Sequence, residues 1–164
     1  KTNDDGKEFI LSLAKTGDYL GFLPLLQSIK YPESAHALED CELALIPQQR
    51  FLDTLNDHPD IANLFIKTLA KDLLEKEEQL VELAYNSVRK RVADALVRLQ
   101  ERYQDPNDKR FSMAILREDL ASMVGTAKET VIRTLSDFRD EKLIEMKGSK
   151  ITILNPAALR TMLN

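Results

Sequence analysis

The apolar positions change period along the chain, and each change marks a new kind of element. Over residues 1–56 they predict strands and turns. Phe9, Leu11 and Leu13 alternate with Ile10 and Ser12, Gly17-Asp18 marks a turn, and Gly21 and Pro24 punctuate the next segment. Glu42–Ile46 gives another short strand, and Pro47 precedes a small helical piece, Gln48–Leu55. From Pro59 to Tyr85 the period becomes helical. Ile66, Leu69, Leu73, Lys76, Leu80 and Leu83 follow alternating steps of three and four, a heptad seam with one charged position. Such a seam pairs helices. The plainer alternative is one amphipathic helix packed on its own domain through Ile61 and Phe65. Asn86 or Ser87 caps a further helix that continues through Val92, Ala95, Leu96 and Leu99 to Tyr103.

Gln104-Asp105-Pro106-Asn107-Asp108 is a loop and boundary signal. Beyond it, Leu120, Ala121 and Val124 form an apolar face at helical spacing until Gly125 breaks the run. Thr126-Ala127-Lys128-Glu129 restarts a helix whose buried side is Val131 and Leu135. Two short helices around a glycine-containing turn make a helix-turn-helix, whose second helix can lie in a DNA major groove. Ala121 has to be small there, because a bulky side chain would push the two helices apart. Leu143-Ile144-Glu145-Met146 and Ile151-Thr152-Ile153 flank Lys147-Gly148-Ser149-Lys150, which predicts a β-hairpin, or wing. Asn155-Pro156 starts a last short helix.

Composition narrows the class. The chain has 164 residues, 43% hydrophobic and 30% charged, which fits a folded, charge-rich helical protein. No apolar run approaches the roughly 20 residues of a membrane span. A single cysteine, Cys41, excludes an internal disulfide framework and cannot build a metal site alone. These features predict a cytoplasmic protein without a membrane partner. The net charge of −4 hides an asymmetry. Residues 1–106 carry 13 Lys+Arg against 19 Asp+Glu, whereas residues 107–164 carry 10 against 8. A locally basic face on an acidic protein still neutralises phosphates, because screening confines charge effects to about 10 Å.

Candidate chemistry concentrates on the second helix of the helix-turn-helix. Glu129 and Arg133 are four apart and share a face. Arginine contacts guanine O6 and N7 together, and glutamate accepts from cytosine N4. Lys128 can reach a guanine or a phosphate, and Ile132 a thymine methyl. Thr126 can cap the helix, and with Glu129 it also matches a capping box. Glu129 and Arg133 equally match an exposed ion pair of little energetic weight. Candidate DNA backbone contacts are Arg117, Thr126, Lys147, Ser149 and Lys150. His36 and His58, the only histidines, fall in no metal-ligand or nucleophile motif. Asp4-Asp5 and Glu77-Glu78 are adjacent pairs that face different ways, so no enzyme is predicted. The alternative to DNA binding is a ligand-binding or regulatory module whose helix-turn-helix packs on a protein partner.

In their order these parts resemble the Crp/Fnr superfamily of bacterial transcription regulators. Three blocks carry the resemblance. Gly6-Lys7-Glu8 with Gly17-Asp18-Tyr19-Leu20-Gly21 looks like the later strands of the family's effector-binding β-roll. The Leu-rich segment at 59–85 stands in the place of the long dimer helix. Leu120-Ala121, then Val124 through Arg133, is close to the family DNA-binding motif. The resemblance implies an α+β protein with a partial, cyclic-nucleotide-binding-like β-roll over 1–56, its N-terminal strands missing. A dimerisation helix over 57–85 and a winged helix-turn-helix over 86–164 would follow. It implies base contacts at Lys128, Glu129 and Arg133, to which the residues themselves add Ile132, a backbone contact at Arg117, and double-stranded DNA, a second copy and RNA polymerase as partners. Ile132 stands where other members often have Ser or Gly. Cyclic-AMP-binding members place Glu after the second Gly to hold the ribose, and an Arg-Ser pair to hold the cyclic phosphate. Here Phe22 follows Gly21, and Glu33-Ser34-Ala35 replaces Arg-Ser-Ala, exchanging a cation for an anion. Cyclic AMP is therefore not the expected effector. The cysteines of the iron–sulfur branch would lie upstream of Lys1.

Overall fold

The computed structural model describes residues 1–105 and 110–164. In chain order the elements are α1 (Phe22–Gln27), α2 (Gln48–Asp57), α3 (Pro59–Tyr85), α4 (Val88–Tyr103), β1 (Ser112–Ala114), α5 (Arg117–Val124), α6 (Lys128–Asp140), β2 (Ile144–Lys147), β3 (Lys150–Ile153) and α7 (Pro156–Arg160). They fall into two compact units, Lys1–Glu78 and Gln79–Asn164.

The first unit is organised around aromatic rings. Phe65, on α3, meets Phe22 at 5.4 Å and Phe51 at 5.1 Å between centroids, both edge-on, and Tyr19 at 5.0 Å. Edge-to-face contact sets the electropositive ring edge against the electronegative face. Leu25, Leu52, Leu55 and Leu69 pack around the three buried Phe rings. The predicted turn at Gly17-Asp18 is present: Gly17 has φ 89, and the Asp18 N–H donates to the Lys15 carbonyl at 3.0 Å. Gly21 and Pro24, expected only to punctuate, instead belong to α1. Gly21 caps it at φ 72, where a Cβ would lie 2.8 Å from the Tyr31 ring, and Pro24 sits in its first turn.

The predicted strands of this unit do not form. Phe9–Leu13 and Glu42–Ile46 have no ladder, and the bridge Thr2–Glu8 is the isolated pairing found among the described residues. Apolar alternation suits a pleated, half-buried surface, but a strand also needs a neighbour to take its N–H and C=O groups. Here the Leu11 carbonyl accepts from the Lys76 ammonium instead, and Leu43 and Leu45 are exposed.

In the second unit α4 packs against α5, α6 and α7, as its apolar positions dictate. Val92, Leu96 and Leu99 are fully buried, and Ser87 caps the helix by accepting from the Lys90 N–H at 3.2 Å. Leu120, Val131, Leu135, Phe138 and Leu159 complete this core. Arg89 ties α4 to the end of α6, its guanidinium 4.7 Å from the Phe138 ring centroid and 2.6 Å from a Glu141 carboxylate oxygen. The three strands form an antiparallel sheet in the order β1-β3-β2. The predicted hairpin is β2–β3, turning at Gly148-Ser149. β1 is not among the predicted strands, although Phe111, Met113 and Ile115 alternate with Ser112 and Ala114, and Phe111 and Ile115 are buried. Asn155 caps α7 through the Ala158 N–H, with Pro156 in the first turn as expected. The loop signal at 104–108 falls inside this unit, and its residues 106–108 lie outside the described residues.

Candidate nucleic-acid interface

The turn between α5 and α6 fixes how α6 is presented. Gly125 closes α5 in the left-handed region, φ 64 and ψ 50, and its N–H donates to the Ala121 carbonyl. The Thr126 N–H donates to the same carbonyl at 3.1 Å. Ala121 itself is buried, so its methyl group sets how closely the helices approach. Arg91 reinforces the turn by donating to the Val124 carbonyl at 2.6 Å.

Helix α6 starts one residue later than a Thr126 cap requires. Ala127 occupies the cap position and no side chain caps the helix. The third helical residue is then Thr130 and not Glu129, so the capping box of Thr126 and Glu129 does not form. Glu129 is left exposed. No ion pair joins it to Arg133 among the described residues, and both side chains are without a partner there. Val131, Leu135 and Phe138 take the buried stripe, which leaves Lys128, Glu129, Ile132 (43% exposed) and Arg133 on the solvent face of α6.

Two candidates are already engaged. Lys128 forms an ion pair with Glu118, in the first turn of α5, and that hydrogen bond holds the Glu118 carboxyl below the usual carboxylate range. Spacing along one helix cannot reveal this pair, because only the turn brings positions 118 and 128 together. Arg117 is partly buried against the wing. Its guanidinium donates to the carbonyls of Gly148 at 3.0 Å, Ile115 at 3.2 Å and Ser149 at 3.4 Å, and lies 3.6 Å from the Met146 sulfur. Desolvation lowers its pKa. At the wing Lys147 and Lys150 face each other in register, both exposed and without ion-pair partners among the described residues. Like charges opposed across a ladder repel, and an anion between them relieves the repulsion. Ser149 is exposed in the turn, and Thr126 is half-buried beside α6.

The seam on α3 divides by direction. Ile66, Leu73 and Leu80 are 61%, 61% and 66% exposed, and Leu74 and Val81 extend that apolar face. Leu69 turns into the Phe core, Lys76 donates to the Leu11 carbonyl, and Leu83 is half-buried.

Comparison with known proteins agrees with this arrangement. Residues 90–162 match the Crp-like helix-turn-helix domain, and residues 1–58 the cyclic nucleotide-binding domain. The chain is 30% identical over 155 residues to the cAMP-activated global transcriptional regulator CRP of Pasteurella multocida, covering 92% of this chain and 73% of that one. It is 26% identical over 160 residues to the global nitrogen regulator of Synechococcus elongatus, covering 95% and 72%. Among solved structures, the c-di-GMP responsive global regulator CLP of Xanthomonas campestris shares the fold at TM-score 0.73 and 23% identity, covering 93% of this chain and 77% of that one. FixK2 of Bradyrhizobium japonicum does so at 0.63 and 21%, covering 70% and 58%. A winged helix-turn-helix joined to a cyclic nucleotide-binding domain defines a class of DNA-binding transcription regulators. The chain belongs to the Crp/Fnr family within it.

Two residues at hand do not suit the contacts by which the family resemblance would hold cyclic AMP. Phe22, where the ribose-binding carboxylate would stand, is an apolar ring buried against Phe65. Glu33 offers an exposed carboxylate where a phosphate needs a cation.

Proposed function

We propose that the protein is a sequence-specific DNA-binding regulator that reads a near-palindromic operator as a homodimer and answers to a signal other than cyclic AMP. The observation that carries this is the solvent face of α6, where Glu129 and Arg133 stand one turn apart with their polar groups unspent. Arg133 would take guanine O6 and N7, Glu129 a cytosine amino group, Ile132 a thymine methyl, and Lys128 a guanine or phosphate after leaving Glu118. Lys147, Lys150, Ser149 and Thr126 would contact the DNA backbone. The apolar face of α3 supports pairing with a second copy, and a two-fold axis through that pair demands a two-fold operator. An effector of the N-terminal domain would act by binding one arrangement of the dimer better than another. The regulator would work in the cytoplasm, with RNA polymerase as a further partner.

Selection from a random duplex pool at near-physiological salt tests this. Enrichment of a palindrome that Arg133→Ala abolishes is the expected result. Retention without enrichment, indifferent to Arg133→Ala, leaves only phosphate attraction and favours a protein partner for the helix-turn-helix.

A further inference from the structure

We infer that Arg117 is a positioning residue that locks the wing to α5, and that Lys147 and Lys150 depend on it for their place on DNA. This rests in part on the DNA-binding function proposed above. The guanidinium reaches three carbonyls on two sides of one gap: Ile115, just before α5, and Gly148 and Ser149, in the turn between β2 and β3. The Ile115 N–H donates to the same Ser149 carbonyl at 3.3 Å, so side chain and backbone converge on the wing tip. Apart from these contacts the two-residue turn is held by the β2–β3 ladder, which ends in the opposed lysines, while the last register pair of β1 is Ala114 with Lys150. Lys147 and Lys150 repel across the ladder, and Gly148, at φ 62, adds no side chain to pack. A planar fork donating in several fixed directions fits this task, whereas the ammonium of lysine is a compact point charge that cannot span the same carbonyls. A guanidinium spent in this way is a strut between helix and wing before it is a phosphate ligand.

The test uses the full chain with Arg117→Lys, which keeps the charge and loses the fork, beside Arg117→Gln. Amide hydrogen exchange of the free protein is read at Ile115, Lys147 and Lys150, with the α4 core from Val92 to Leu99 as an internal check on folding. Both variants should speed exchange at the wing by about tenfold or more while α4 stays protected. On DNA, Arg117→Lys should lower the magnitude of the log–log salt slope by about 1.8, the contribution of two lysines at about 0.9 each, although no charge has been removed. If Arg117→Lys leaves both wing exchange and salt slope as in the parent, Arg117 is a simple phosphate contact and the inference fails. A protein that binds no DNA but shows faster wing exchange keeps the strut and loses the operator. Faster exchange in α4 as well as the wing would make Arg117 a general structural residue and overturn the inference.

Discussion

Arg133 and Lys147 are both exposed cations, yet on the proposed DNA-binding function their surroundings suit them to different work. Arg133 lies on the helix face beside Glu129 and Ile132, where base edges would be, and Lys147 lies on a hairpin opposite another lysine. Arg133→Ala should cost about 1–3 kcal/mol on the operator and flatten preference at one base pair, measured by fluorescence anisotropy on matched and mismatched duplexes. Lys147→Ala should weaken all duplexes alike and reduce the salt slope by about 0.9. Lys128 differs again because Glu118 already holds it. The Glu118 carboxyl is depressed by that contact, so the pair is intact above the ordinary carboxylate range and is lost as pH falls through the depressed value. Replacing Lys128 with Met should therefore move the Glu118 midpoint upward in a carboxyl-detected NMR titration. Glu118→Gln should free the ammonium and remove a carboxylate from the DNA side, steepening the salt slope.

At the scale of elements, the sequence was legible wherever helical periodicity coincided with a local stop signal. α3 runs Pro59–Tyr85 as the periodicity predicts, Ser87 caps α4, and Gly125 ends α5 in a conformation that a Cβ disfavours. It was misleading where a decision depended on distant residues. The Phe9–Leu13 alternation has no strand beside it, whereas the similar alternation of Phe111, Met113 and Ile115 becomes β1 with β3 alongside. Thr126 resembles a cap, yet its N–H is drawn to Ala121 and the helix begins after Ala127. The heptad seam does not form one exposed face: Ile66, Leu73 and Leu80 are exposed, whereas Leu69, Lys76 and Leu83 turn wholly or partly toward the chain itself. Two consequences are measurable. Phe138→Ala removes a fully buried ring between α6 and α4 and should destabilise the second unit by about 3–5 kcal/mol in denaturant unfolding. Leu73→Glu places a carboxylate on the exposed face of α3 and should shift the protein to monomer in analytical ultracentrifugation, with helix content unchanged.

Across the whole chain, an acidic first part accompanies a mildly basic second one, and among the described residues α3 carries an exposed apolar face while α6 and the wing carry exposed, unpartnered polar groups. A dimer that pairs through the first can offer the second twice, related by a two-fold. Hydroxyl-radical and methylation footprinting of the full chain on a selected duplex tests that account most directly. Two symmetric patches of major-groove protection about 10 base pairs apart, both lost with Arg133→Ala, are the predicted result. A single asymmetric patch, or uniform protection that survives Arg133→Ala, would contradict sequence reading by paired α6 helices.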